Sequence, residues 1–108
     1  MKKLQIDLEG EVSLLKESGR TTPILQEYWG HANLKGQERQ DSYVIYLRDK
    51  EKLFPGEKCT AELRFKFRDH EEFEIELEEH QILELNEGIR KIGEFKIAKV
   101  LNENLKKT

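Results

Sequence analysis

The feature that most restricts this chain is a sustained alternation of apolar and charged side chains. Leu4, Ile6, Leu8, Val12 and Leu14 are apolar, and Gln5, Asp7, Glu9 and Glu11 stand between them. Successive side chains on a β-strand point to opposite faces, so this period buries one face and leaves the other wet. Gly10 interrupts the run where a bulge or bend would. The pattern returns in AELRFKFR (61–68), where Leu63, Phe65 and Phe67 share one face and Arg64, Lys66 and Arg68 the other. In EFEIELEE (72–79), Phe73, Ile75 and Leu77 oppose Glu74, Glu76 and Glu78. Joined by DHE, the two runs read as an antiparallel hairpin with a basic ladder beside an acidic one. Each cross-strand pair of opposite charge contributes about 0.2–1 kcal/mol.

The remaining segments fit the same class. SYVIYLRD (42–49) is β-branched and aromatic and reads as a strand buried on both faces. KESGRTTP (16–23) and FPGE (54–57) are turn clusters, with Pro55 fixing one φ and Gly56 free to take a positive one. EYWGHANLKGQERQD (27–41) starts with aromatics and reads as a polar, glycine-bearing loop. HQILELNEG and GEFKIAKVL read as two final strands, with NEGIRK as the turn. No segment repeats with a helical period. The expectation from these residues is an all-β single domain over 1–108, a barrel or a sandwich of five to seven strands.

Composition narrows the function classes. Charged residues reach 38%, against a usual ~25%, yet the net charge is only −3. Nothing in that balance draws the chain to nucleic acid or an anionic membrane. No apolar run approaches the ~18 residues that would span a bilayer, and MKKLQIDLEG lacks the apolar core of a secretion signal. The single cysteine, Cys59, fits a reducing cytoplasmic compartment. Gly88 and Gly93 superficially suggest a phosphate-binding loop. That loop continues with Lys and Ser/Thr, whereas Gly93 is followed by Glu94 and Phe95, so no nucleotide is expected.

Three stretches, in order and covering most of the chain, carry a family resemblance: LEGEVSLLKESGRTTP (8–23), KLFPGEKCTAELRF (52–65) and NEGIRKIGEFKIAKVL (86–101). Together they resemble the C-terminal β-barrel domain, domain 3, of bacterial elongation factor Tu, which implies a single antiparallel β-barrel of about six strands. The first is similar to that domain's opening strand and Gly-Arg-x-Thr-Pro turn, and the second to its Met-Pro-Gly-Asp turn. The third is similar to its Arg-Glu-Gly-Gly-Arg-Thr-Val-Gly ending. The resemblance implies a turn role for Gly88 and a packing role for Gly93. It also implies a surface that packs on a GTPase domain and touches the T-stem of tRNA. The chain departs from the family at Tyr28-Trp29-Gly30-His31, which stands where the family has Tyr-Arg-Pro-Gln, so Trp29 replaces a tRNA-facing arginine. The family's Phe-Arg-Thr-Thr-Asp strand has no counterpart, and the 108 residues hold no GTPase domain.

Candidate chemistry is sparse. Cys59 follows Lys58, but no base is paired with it, and a buried small residue is the expected role. His70 and His80 have no metal-ligand spacing, and the acids from Asp69 to Glu79 alternate with Phe and Ile as a solvated sheet face does. No catalytic residue, metal or cofactor is expected. Trp29 fits either a binding hot spot or a core position. The expected function is a non-catalytic protein-binding module using Tyr28, Trp29 and His31 together with Glu87, Gly88 and Arg90. One form of it is an immunity- or antitoxin-like protein whose acidity suits a basic toxin. The alternative is tRNA binding, or docking on a GTPase in trans.

Overall fold

The computed structural model describes residues 6–17, 21–34, 41–66, 76–88 and 90–105. Among the described residues there are eight strands: β1 (Leu8–Leu14), β2 (Ile24–Leu25), β3 (Tyr28–Leu34), β4 (Asp41–Leu47), β5 (Lys52–Leu53), β6 (Lys58–Phe65), β7 (Ile82–Glu87) and β8 (Arg90–Val100). Six of them form a closed antiparallel barrel in the order β1-β6-β4-β3-β7-β8, and β2 and β5 make a separate two-stranded ribbon. The all-β class expected from the alternation and the six-stranded barrel implied by the resemblance are what form. Among the described residues no helix is long and apolar enough to cross a membrane.

The alternation becomes the inside and outside of the barrel. Leu8, Val12 and Leu14 on β1, and Ala61, Leu63 and Phe65 on β6, enter one apolar core with Phe95 and Ile97 of β8. Burying a side chain of this size contributes about 1.5–3 kcal/mol. Leu77 and Leu105 close one part of the core, tied by a 2.7 Å hydrogen bond from the Leu77 N–H to the Leu105 carbonyl.

The barrel closes where β1 meets β8. Opposite Glu9 and Gly10, β8 carries the extra residue Ala98, so the irregularity expected at Gly10 is a bulge whose additional residue lies on the partner strand. A second shift, opposite Leu85 and Asn86, makes Ile92 the extra residue. Such bulges bend a strand, and they let β8 serve β7 and β1 in turn. Backbones approach closely along this seam. A Cβ on Gly10 would run into the Lys96 carbonyl, and one on Gly93 into the Ser13 carbonyl. Gly93 is thus a packing glycine, as the resemblance implied. Gly88 is the turn glycine, at φ 65°, with open space around it.

Asp7 pins the closure from one end. Its buried carboxyl accepts hydrogen bonds from the Phe65 N–H (2.7 Å) and the Asn102 side-chain amide (2.8 Å). Its carbonyl accepts from the Leu101 N–H at 2.8 Å. One residue thus joins the first strand, the end of β6 and the C-terminal segment.

Two sequence expectations are corrected. Residues 28–34 are not part of a loop; they form β3, paired with both β4 and β7. Its inward positions include Gly30 and Ala32, whose small size makes room for Tyr43: a Cβ on Gly30 would lie 2.7 Å from the Tyr43 hydroxyl oxygen. The hairpin between 61–68 and 72–79 does not form along β6, because β1 occupies one edge of that strand and β4 the other. The rest of that pairing, residues 67–75, lies outside the described residues, as does His70. The two-sided burial expected for 42–49 holds for Tyr43, Val44 and Ile45, while Tyr46 is only half-buried.

Urea unfolding should rank the seam above the turn. Gly10→Ala and Gly93→Ala are each expected to lose about 1–3 kcal/mol by overpacking, more than Gly88→Ala, which carries only the ~1 kcal/mol strain of the left-handed region. Asp7→Ala is expected to lose about 1–3 kcal/mol for each buried donor left unpaired, with Asp7→Asn retaining part of that loss.

Candidate functional site

The start of β3 is set by a turn at Gln26 and Glu27. Glu27 takes a left-handed φ of 58°. The Gln26 side-chain amide then pairs with the Leu47 backbone as a neighbouring strand would, donating to its carbonyl at 2.7 Å and accepting from its N–H at 2.8 Å. From this fixed origin Tyr28 turns inward, packing on the core with its ring 6.4 Å from that of Tyr43. Trp29 turns outward and is 61% exposed. Its assignment to the core is therefore excluded. Lys66 lies over the indole, with Nζ 3.4 Å from the ring centroid, inside the range of a cation–π contact.

Opposite Trp29 in the register stands Val44, 1% exposed but outside the core cluster, hence buried on the barrel's outer wall. In the register Trp29 flanks Val44 on one side and Arg64 on the other. Arg64 donates from Nε to the Tyr46 hydroxyl at 3.4 Å, and among the described residues it forms no ion pair. The result is a small outer-wall platform of indole, valine and phenol with two cations.

Of the residues expected from sequence, the structure brings the two separated groups together. β3 and β7 pair from His31 opposite Asn86, so Trp29 and exposed His31 lie beside the β7–β8 turn with Glu87, Gly88 and Arg90. Glu87 and Arg90 pair directly across that turn, which is tighter than the NEGIRK expected. The Arg90 and Glu87 charges lie 3.5 Å apart, and Lys91 contacts Glu94 at 3.0 Å and Glu84 at 3.8 Å. Asn86 and Asn33 share a 2.6 Å hydrogen bond. Tyr28, by contrast, faces the core and acts by supporting β3. Sequence reasoning missed Val44 and Tyr46 as surface formers and placed Arg64 and Lys66 against an acidic ladder. The available signal was the apolar side chains at successive positions of SYVIYL, which a strand wet on one face would not carry.

The other candidates resolve into structure. Cys59 is buried on β6, and burial pushes its thiol pKa up, away from a reactive thiolate. Glu57 closes the 54–57 turn by accepting from the Phe54 N–H at 2.9 Å. That bond, then Lys50 at 3.2 Å, lowers its pKa. An outer groove of about 410 Å³ is lined by Glu9, Gly10, Glu11, Thr60, His80 and Lys96, with Ile97 and Ala98 as apolar floor. The Thr60 hydroxyl and His80 imidazole share this groove without hydrogen-bonding each other. Among the described residues no three His, Cys, Asp or Glu side chains gather to hold a metal ion.

No protein-family model matches the chain, and no curated protein matches it.

A thiol-alkylating reagent at neutral pH is expected to modify Cys59 slowly in the folded protein and rapidly in urea, as a time course by mass spectrometry would read. Fast modification of the folded protein would contradict the buried, protonated thiol.

Proposed function

We propose that this barrel is a non-catalytic binding module for a protein partner, similar in build to the third domain of elongation factor Tu. Its contact surface centres on Trp29 and includes His31 and the Glu87–Gly88–Arg90 turn. The observation that supports this reading most is the indole itself, exposed on a wall whose neighbouring apolar side chains are buried. Aromatic side chains of this size bury 150–250 Å² on contact, and tryptophan is enriched among residues that dominate binding energy. On this reading the module works in a bacterial cytosol, where a lone Cys59 stays reduced. tRNA binding is the weaker reading, since the family's arginine is replaced by Trp29 and phosphate recognition rests on Lys and Arg.

The test is a tagged pull-down from lysate of the source organism at near-physiological salt, with protein and RNA both quantified in the eluate. The expected result is a stoichiometric protein partner that is lost on Trp29→Ala, with the variant's urea midpoint close to the parent's. Retention of that partner by Trp29→Ala would displace the site. Abundant tRNA released between about 50 and 200 mM salt would overturn the reading, because phosphate-dominated affinity collapses in that range.

A further inference from the structure

We infer that the outer groove on the β1–β8 seam binds a small zwitterion of the α-amino-acid class. Its ammonium would sit on Glu9 and Glu11, and its carboxylate on Lys96 and His80. The site is separate from the Trp29 surface, because β3 lies three strands from β1 in either direction around the barrel.

Two backbone irregularities make the groove. The bulge on β8 makes Ala98 an extra outward residue between Lys96 and Lys99, and its short side chain leaves the wall low there. On the opposite edge of β8, His80 takes a left-handed φ of 73°. That conformation costs energy for a residue with a Cβ, and such strain collects at functional sites. Hydrogen bonds hold it in place. The His80 N–H donates to the Ile97 carbonyl at 2.8 Å, and the Ile97 N–H donates to the Gln81 carbonyl at 2.9 Å. The hollow between Thr60 and His80, about 410 Å³, falls within the roughly 300–1,000 Å³ of small-molecule sites.

The charges of the lining select the ligand. Glu11 stands opposite Lys96 in the register, where cross-strand charges ordinarily pair. Elsewhere on the wall neighbouring charges do meet: Arg48 bonds Glu62, and Lys91 contacts both Glu84 and Glu94. Among the described residues, the side chains of Glu9, Glu11, His80 and Lys96 form no hydrogen bond or ion pair. Lys99 stands opposite Glu9, and exposed Glu78 and Glu79 precede His80, but none of these three lines the groove. The lining therefore sets two carboxylates on β1 against an ammonium on β8 and an imidazole beyond it. An anion alone would face both carboxylates, and a cation alone would stand against Lys96. A molecule with both charges on one carbon satisfies both sides, through charge-assisted hydrogen bonds. Its apolar part then lies on Ile97 and Ala98.

The experiment follows the backbone amides of the isotope-labelled whole protein by NMR during titration with each common amino acid. The N-acetyl form of the best binder, which lacks the ammonium, and its amide, which lacks the carboxylate, are titrated in parallel. The amino acid is expected to shift Thr60, His80 and Ala98 with a Kd of about 1 mM, as suits an open site. Trp29 and His31 should stay unmoved. Both blocked forms, and the variants Glu11→Gln and Lys96→Gln, are expected to bind about three- to tenfold more weakly. Ala98→Phe, which fills the hollow from an exposed position, should abolish the shifts while keeping the parent's urea midpoint. No groove shift from any common amino acid at about 10 mM would overturn the inference. So would an amide that binds as tightly as its parent, leaving a plain cation site, or an N-acetyl form that does so, leaving an anion site. Full binding by Ala98→Phe would place the ligand elsewhere and sink it too. Trp29→Ala should bind the amino acid as the parent does, so the groove and the protein-binding surface stand or fall separately.

Discussion

Closure of β1 against β8 is the constraint on which the rest of this protein depends. An open sheet of six strands would leave two unpaired edges and could not wrap its apolar face around one core. Pairing the first strand with the last removes both edges at once. The ladder from Leu8–Val100 to Leu14–Gly93 needs backbones closer than a Cβ allows at Gly10 and Gly93, and it needs the extra residues Ala98 and Ile92 to bend β8. Asp7 then ties the start of β1 to the end of β6 and to the C-terminal segment through its buried carboxyl. Because these contacts are far apart in sequence, the core forms only when the two ends of the chain come together.

Closure also decides where function can lie. The interior is filled by side chains such as Leu63, Phe65 and Phe95, and the edges are gone, so recognition is left to the outer wall. Elsewhere on that wall, ion pairs such as Arg48 with Glu62 and Lys91 with Glu94 face water, and each contributes little. The Trp29 platform departs from this rule. Val44 is buried there without joining the core, Trp29 stands opposite it in the register while staying exposed, and Lys66 lies across the indole. Protein surfaces tolerate scattered apolar groups, but an indole held by a lysine beside a buried valine is a preorganised contact. Little side-chain entropy remains to be lost when a partner arrives.

Much of this was legible in the sequence. The period of two in β1, β6, β7 and β8, the Pro55–Gly56 turn and the turn glycine Gly88 all depend on neighbours within a few residues, and all appear where expected. β3 was not legible, because Gly30 and Ala32 occupy inward positions where a strand signal would show larger apolar side chains. Their smallness makes sense only beside Tyr43 on the next strand, a fact of tertiary pairing. The expected hairpin shows a related limit of local reading. Complementary charge in adjacent segments favoured it, but the described part of β6 pairs with β1 on one edge and β4 on the other, and the rest of the expected ladder lies outside the described residues.

The sequence by itself determined the two-faced strands, the tight turns and the residues bound for the interior, since side-chain alternation and φ preferences are local. Tertiary structure alone decided that Trp29 faces solvent, that Lys66 lies across it, and that residues from opposite ends of the chain, Trp29 and His31 with Glu87 and Arg90, share one end of the barrel. Those facts come from register, and register is fixed by closure: one shift along β3 would turn Trp29 inward and expose Tyr28.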